Sequence, residues 1–193
     1  MEKWKIALPL VLILAGAFLL LGISEPVQEY GEMPIPKGYD GTVAKIHYTG
    51  IVCPIVTRTS GEVITLACHH NLLTDRGREL IELEMRGDAS VVLDKIAIGN
   101  CSDGTQLPTD TNMQSEWLAC GLGNATGTLK DEGTGNWSIT YEWTSACDGA
   151  IMNATGIYNT TMPGNLFAEA NYTSVTLNTG EKLNITYFIW VLQ

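Results

Sequence analysis

The sequence has few charged residues, and basic residues are the scarcer kind. Charged residues make up 17% of the 193 residues, with 11 Lys and Arg against 21 Asp and Glu, for a net charge of −10. No cluster of Lys and Arg forms a basic stripe, so the chain lacks the electrostatic footprint of a nucleic-acid-binding protein. This length suits one domain with a short appendage.

Histidine is scarce, and the familiar catalytic signatures are missing. The three histidines include the adjacent pair His69 and His70, which follow Cys68. Neighbouring residues of a strand point to opposite faces, so the two imidazoles cannot readily hold one ion, and no second Cys/His pair completes a zinc site. Gly-x-Ser-x-Gly, His-Glu-x-x-His and a phosphate-binding glycine loop do not occur. The sequence therefore predicts no enzyme and no metal at Cys68–His70, which we interpret as a strand end.

Carboxylates form no compelling catalytic pair, although one loop offers them to a cation. Residues 99–112, GNCSDGTQLPTDTN, contain Asp103 and Asp110 among many backbone carbonyls. Calcium binds such oxygen ligands, so this loop is a candidate calcium site. We favour the alternative, an ordinary solvated loop, and we predict no cofactor.

The one long uncharged run lies at the N terminus. Residues 6–23, IALPLVLILAGAFLLLGI, follow a short basic start. The run exceeds the ~7–15 residues of a typical signal core and falls just short of a ~20-residue membrane span. Small residues permit cleavage after Ser24 or after Ala17. We predict that residues 1–24 are a cleaved export signal, with a retained membrane anchor as the alternative, and both place the remaining chain outside the cytosol.

Asparagine is concentrated in one tripeptide motif. Seven of the eleven asparagines begin Asn-x-Ser/Thr, the acceptor sequence for N-linked glycans in exported proteins. The alternative is that Asn and Thr are simply abundant in the second half of the chain. The predicted glycosylation sites are Asn100, Asn124, Asn136, Asn153, Asn159, Asn171 and Asn184.

The N-terminal segment is followed by an extended arm and a single helix candidate. Residues 25–40, EPVQEYGEMPIPKGYD, contain three prolines and two glycines, which disfavour a helix. A helix is predicted over about 74–86, because Thr74 or Asp75 can cap its start and Gly87 can end it in a left-handed conformation. Its predicted apolar side consists of Leu80, Ile81 and Met85.

Residues 41–193 are predicted to form one all-β domain. The segment 90–99, SVVLDKIAIG, is typical of a strand buried on both faces, and residues 136–143 alternate polar with large apolar side chains. Residues 130–135, KDEGTG, are predicted to turn between two strands. Eight or more short strands with one helix favour an antiparallel β-sandwich of jelly-roll type.

The cysteine positions predict two disulfides. Cys53 and Cys68 are equally spaced about the turn at Ser60-Gly61, and Cys120 and Cys147 are almost equally spaced about Gly133. Directly opposed residues of a hairpin have Cα atoms about 4.5–5.5 Å apart, which is within disulfide range. We therefore predict the bridges Cys53–Cys68 and Cys120–Cys147. Five cysteines leave one over, and the unpaired one is Cys101.

The order of motifs over residues 68–192 carries a resemblance. The stretch CHHNLLTDRGRELIELEMRG, followed by LDKIAIGNCSDGTQLPTDTNMQSE, resembles a pattern in phage-like and archaeal exported structural proteins. There, an HN-L-x-T-x-x-G segment opens a short helix that precedes a strand and an Asp/Thr-rich loop. The segments CGLGNATGTL, GNWSITYEWTSACD and LFAEANYTSVTLNTGEKLNITYFIWV are similar to the β-rich second half of the same group.

The overall architecture is similar to archaeal surface filament subunits, the threads and bundling pili. These are glycosylated jelly rolls in which an N-terminal strand of one subunit completes the sheet of the next. The resemblance implies a homopolymer assembled by strand donation. Its candidate donor is the arm 25–40, with the apolar residues Val27, Tyr30, Met33 and Ile35. Cleavage after Ala17 would supply a more apolar donor, FLLLGISEPV.

Several functions remain open at the level of sequence. The leading hypothesis is an extracellular, glycosylated structural subunit of a cell-surface pilus or thread. A monomeric surface glycoprotein or binding module, anchored in the membrane through residues 6–23, is the first alternative. A virus-encoded structural or fibre protein of the same fold is the second, and a secreted hydrolase comes last because no catalytic constellation supports it.

Overall fold

Four stretches of the chain are described by the computed structural model: residues 47–87, 91–101, 106–160 and 164–192. The predicted export segment and arm lie outside these stretches, with the candidate donor residues Val27, Tyr30, Met33 and Ile35. Within the described stretches, no helix combines the length and the apolar character needed to cross a bilayer.

Antiparallel strands dominate the described part of the chain, which contains one helix, α1 (Asp75–Arg86). The all-β class predicted from the sequence is therefore confirmed. The strands are β1 (His47–Thr57), β2 (Val63–Thr65), β3 (His69–His70), β4 (Leu72–Leu73), β5 (Lys95–Gly99), β6 (Ala125–Thr126), β7 (Thr128–Gly133), β8 (Asn136–Thr144), β9 (Ala150–Tyr158), β10 (Leu166–Leu177) and β11 (Lys182–Leu192).

The strands form two sheets with a shared apolar core. Sheet A has the order β2-β1-β11-β8-β7, with β3 also paired to β1, and sheet B has the order β4-β10-β9-β5-β6. Inward side chains of both sheets pack together, as expected when two half-apolar sheets bury their faces against each other. The largest fully buried members of this core are Trp143, Tyr187, Ile139, Ile96, Ile98, Met152 and Ile157.

Strand β1 runs unbroken through Gly50 and Pro54, although glycine and proline often interrupt strands. The Pro54 carbonyl accepts a hydrogen bond from the Leu66 N–H (3.0 Å), so Pro54 faces the stretch between β2 and β3, which is not a regular strand. Since proline has no N–H to donate, an irregular neighbour costs little at this position. A Cβ on Gly50 would overlap Asn71 Oδ1, so a larger residue there would require the Asn71 side chain to move.

Helix α1 has the predicted caps but a different apolar side. Thr74 accepts a hydrogen bond from the Gly77 N–H, and Gly87 ends the helix with φ = 72°. Leu80 is buried, and Ile81 packs against the same small core at half burial. The prediction for Met85 is wrong, because its side chain is 69% exposed. Met85 lies one turn beyond Ile81, where the helix has already passed the margin of that core.

The second half of the chain is strand-rich as predicted, but its turns lie elsewhere. Strand β7 includes four of the six residues predicted to turn over 130–135, and the reversal is at Thr134-Gly135. Strand β5 covers only the second half of the predicted 90–99 strand. The KDEG segment has three consecutive charged residues and a glycine, which is the composition of a turn, but an edge strand also tolerates charge on its exposed side.

The outer face of sheet B is covered by α1 and by the chain around residues 106–117. Glycines in the strands of sheet B allow the covering chain to approach the sheet closely. A Cβ on Gly99 would lie 2.5 Å from the Ser115 carbonyl oxygen, and one on Gly156 would lie 3.0 Å from the Met113 sulfur. The predicted polar loop 99–112 is thus partly a packed layer over the sheet.

Candidate functional site

The first predicted disulfide forms between residues that face each other across sheet A. Val52 is opposite His69 and Ile51 is opposite His70, which places Cys53 opposite Cys68. The structure joins these two cysteines, whose Cα atoms are 4.3 Å apart. Strand β3 has the register with β1 that places the two cysteines opposite each other. Strand β2, which is nearer the turn, pairs with β1 one position out of that register.

The second predicted disulfide also forms, but not between opposed strand residues. Cys120 lies in a turn with φ = 59°, and Cys147 lies in the loop after β8, with the two Cα atoms 5.5 Å apart. The Ala146 N–H donates to the Cys120 carbonyl at 2.8 Å. The bridge therefore links two loops. The predicted hairpin pairing of Cys120 with Cys147 is wrong, because β7 begins only at Thr128. Cys101 is unbridged and buried.

The histidine pair forms the two-residue strand β3, as the strand-end interpretation expects. His69 is half-buried, its Nε2 has no hydrogen-bond partner, and His70 is exposed. His47 is paired with Leu192 at the far end of β1. Over the described residues, no three His, Cys, Asp or Glu side chains are grouped so that they could hold a metal ion.

The predicted glycosylation sites differ in how their amides are used. Asn124 is exposed, whereas the other six are half-buried. Asn153 accepts from the Cys101 N–H at 2.7 Å and donates to the Cys101 carbonyl at 3.1 Å. Asn159 accepts from the N–H groups of Val92 and Thr160. These two sequon side chains hold backbone segments in place.

The candidate calcium loop contains a carboxyl contact that sequence reasoning missed. Asp103 lies outside the described residues, and Asp110 contacts Glu169 of β10, which is 4% exposed. Burial and the neighbouring Asp110 raise the pKa of Glu169 to about 8. A neutral Glu169 can donate a hydrogen bond to Asp110. A single Glu within the apolar segment LFAEANY was the only sequence signal.

An open groove lies at one corner of the sandwich, and we call it the corner groove. It is lined by residues 91–93, 129–131 and 133–137 and has a volume of about 840 Å³. One wall is the strand β7, which pairs with β8 on one side and stands at the edge of sheet A. The other wall is the segment that leads into β5 of sheet B.

The register shows that the corner groove exposes side chains of the inner face of sheet A. Leu129 is opposite Ile139, and Trp137 is opposite Ile189, and both of these partners belong to the buried core. Opposed residues share a face, so Leu129 and Trp137 also point toward sheet B. Leu129 is nevertheless 48% exposed, and Trp137 is only half-buried. Sheet B does not extend over this corner.

The floor of the groove continues into the main core. Leu93 and Trp137 both pack against core residues while also lining the groove. Val92 is 43% exposed at the opposite wall. An apolar segment placed in the groove would therefore extend the existing core, and its backbone could pair with the edge of β7 that no strand of the described residues occupies.

The corner groove was not predicted from the sequence, because residues 130–133 of β7 were predicted to turn. The available signal was Leu129, a lone leucine in the polar sequence TGTLKDEG. No protein-family model, curated protein sequence or solved structure matches this chain. The geometry of the groove is therefore the observation on which a functional proposal must rest.

Proposed function

We propose that the protein is a structural subunit of an extracellular cell-surface filament, a pilus or thread. In this proposal the arm 25–40 of one copy adds as a strand to β7 of the next copy and fills its corner groove. The observation that carries the proposal is the edge of β7, which no other described strand pairs with, beside an apolar floor that continues into the core. An open strand edge favours pairing with another chain.

The arm has the pattern of a strand that pairs on one side only. Val27, Met33 and Ile35 occupy odd positions and would share one face of an extended chain. Backbone N–H groups alternate between the two edges of a strand, and Pro26, Pro34 and Pro36 all occupy even positions. The missing N–H groups would thus lie on one edge, which leaves the other edge able to pair fully with β7.

Those prolines also explain why the added strand would end the sheet. An edge that lacks several donors cannot recruit a further strand. Each acceptor would therefore take one donor, and growth would continue only through the acceptor's own arm. This is the behaviour that a linear filament requires.

The described domain begins at His47, which lies at the same end of sheet A as the groove. His47 is opposite Leu192, Trp190 is opposite Asn136, and Gly133 is opposite Asn136. Three strand spacings separate β1 from β7, or roughly 14 Å. An arm could therefore reach its own groove as well as a neighbour's, and the test must distinguish the two.

We also propose a jelly-roll wrap for the first and last strands of the chain. Strand β1 pairs with the last strand, β11, and β4 pairs with the penultimate strand, β10. An early strand therefore lies beside a late strand in both sheets, as in a jelly roll. The hairpins β7–β8 and β9–β10 each stay within one sheet, so the proposed wrap concerns only β1, β4, β10 and β11.

The disulfides indicate an oxidising environment, since such bridges persist outside the cytosol. A location on the cell surface and N-linked glycans are further parts of the proposal. They are supported by the N-terminal apolar run and the density of sequons.

Cysteine pairs across the proposed joint test the assembly. We expect Ile35→Cys combined with Leu129→Cys to give a ladder of covalent oligomers on a non-reducing gel after mild oxidation of filaments. The register between the donor strand and β7 is not fixed in advance and could differ by two residues. Met33→Cys and Asp131→Cys are therefore added as alternative cysteine positions on the arm and on β7. Opposed strand residues lie within disulfide reach.

The matched control combines Ile35→Cys with Leu118→Cys. Leu118 is 75% exposed and lies beyond the other end of β5, away from the groove. This pair should give no ladder. A compact cross-linked monomer from the Leu129 pair would mean that the arm occupies its own groove. Isolated particles that retain residues 1–24 would favour the anchored surface glycoprotein.

A further inference from the structure

Two aromatic rings lie on the outer face of sheet A, on the side away from the core. Phe188 and Trp190 of β11 are half-buried and stacked, with ring centroids 6.2 Å apart and an angle of 26° between their planes. The alternate residues Tyr187 and Ile189 point inward and are fully buried. A partly exposed aromatic pair on the outer face of a sheet indicates a contact surface.

A sequon runs directly beside these rings on the neighbouring strand. Trp190 is opposite Asn136, and Phe188 is opposite Ser138, in the register of β11 and β8. Asn136 and Ser138 are the first and third residues of the sequon Asn-Trp-Ser. Opposed residues on one face have Cβ atoms about 4.5–5.5 Å apart. The sequon asparagine and Trp190 are therefore side by side on the outer face.

The amide of Asn136 is placed differently from those of Asn153 and Asn159. Its Oδ1 is buried without a hydrogen-bond partner, and the described residues supply no hydrogen-bond partner for its Nδ2. An amide with its oxygen turned inward directs the nitrogen outward, and the nitrogen is the atom that carries an N-linked glycan. The side chain is thus available for modification in a way that a hydrogen-bonded amide is not.

We propose that the first sugar of an N-linked glycan on Asn136 packs against the face of Trp190, with Phe188 supporting that ring from behind. One face of a pyranose ring presents C–H groups, whose positive hydrogens complement the negative face of an indole. The glycosidic bond joins Nδ2 to the anomeric carbon of a carrier-bound sugar, with loss of one amide proton and of the carrier. The inference rests on the export and glycosylation in the proposed function, not on filament assembly.

A double-mutant cycle in two expression hosts tests this contact. The wild type, Asn136→Gln, Trp190→Ala and the double variant are made in a host that attaches N-glycans and in a bacterial periplasm that does not. In glycosylated protein we expect Asn136→Gln to lower Tm by about 2–4 °C when Trp190 is present, and by much less when Trp190 is alanine. In unglycosylated protein the two substitutions should act additively.

Asn184 is the matched control, because it begins a sequon on the outer face of sheet A and lies on the same strand as Trp190. It lies opposite Glu142 and Ile55 instead of an aromatic ring. Asn184→Gln should lower Tm equally with and without Trp190. Glycopeptide mass spectrometry must find a glycan on Asn136, and an unmodified Asn136 would overturn the proposal. An equal loss of Tm in both Trp190 backgrounds would do the same, as would coupling that persists without glycan.

Discussion

Glu169 is a carboxylic acid enclosed among groups that solvate its charged form poorly. It sits on β10 opposite Gly156, beneath the chain that carries Asp110, and its Oε1 has no hydrogen-bond partner among the described residues. The buried phenols of Tyr158 and Tyr187 lie near enough for the Glu169 charge to raise their pKa values. The neutral acid is therefore the form that this part of the molecule accommodates.

This predicts an inverse dependence of stability on pH. In the unfolded chain the pKa of a glutamate is about 4.3, whereas in the folded protein that of Glu169 is about 8. The folded state binds the extra proton between these values, so the unfolding free energy should fall as pH rises from about 4.5 to 8. The slope should approach 1.4 kcal/mol per pH unit at most, by order of magnitude.

Urea unfolding at several pH values measures this slope. Glu169→Gln keeps a hydrogen-bond donor toward Asp110 and removes the titration, so it should flatten the dependence and raise stability above pH 8 relative to the wild type. Glu142→Gln, an exposed position paired with Lys182, should leave the slope unchanged. An unchanged slope in Glu169→Gln would show that another group is responsible.

At the scale of elements, the packing of α1 onto β10 is unusually close at its first turn. The Thr74 hydroxyl donates to the Leu166 carbonyl at 2.5 Å and lies 3.1 Å from the Phe167 carbonyl oxygen. Gly77, one turn into the helix, is buried, and a Cβ there would overlap the Phe167 carbonyl oxygen. The helix start is thus fixed directly to the strand backbone.

Gly77→Ala should therefore destabilise the protein, although alanine is the better helix former. Alanine gains up to about 1 kcal/mol of helix propensity over glycine, but a methyl group forced against backbone costs about 1–3 kcal/mol or more. We expect a net loss of about 1–2 kcal/mol in urea unfolding. Met85→Ala, on the exposed end of the same helix, should change stability by less than about 0.5 kcal/mol. A stabilised Gly77→Ala would show that the helix can move away from β10.

Helix α1 and strand β8 show what the sequence could establish. Local signals sufficed for both: a threonine cap and a terminal glycine for the helix, and an alternating pattern for the strand. The Cys53–Cys68 pairing followed equally from a short hairpin. These features depend on residues close together in sequence, for which local physical chemistry is decisive.

The corner groove and the Glu169–Asp110 contact show what the sequence could not establish. Each depends on segments that are far apart in sequence. Residues 91–93 lead into β5 of sheet B, whereas residues 129–137 include parts of β7 and β8 of sheet A, and their facing positions follow from strand order, which no local pattern specifies. The turn at 130–135 was predicted wrongly for the same reason. A charged sequence such as that of β7 can be identified as a strand only when its pairing with β8 is known.

At the scale of the whole molecule, the N-terminal arm should be dispensable for folding and necessary for assembly. Deleting residues 25–36 removes the proposed donor but leaves the described domain, with both disulfides and its core, intact. We expect circular dichroism and Tm close to those of the unassembled wild type, and no filaments by negative-stain electron microscopy.

A substitution in the acceptor serves as the reciprocal variant. Leu129→Lys places a charge on the groove wall without disturbing a fully buried residue, because Leu129 is already 48% exposed. Mixing the arm deletion with Leu129→Lys should give only dimers, since one partner lacks a donor and the other an acceptor. Long filaments from the arm deletion alone would rule out residues 25–36 as the donor.

The placement of β1 has a mechanical consequence for such a filament. Tension arriving through the arm would pull β1 along its own axis, starting at His47. Strand β1 is paired with β11 over its full eleven residues, so this load would shear all of those hydrogen bonds together instead of unzipping them singly. The Cys53–Cys68 bridge would limit how far the strand could be drawn out. Sheet A would thus bear the load between consecutive subunits, while sheet B would remain outside the line of force.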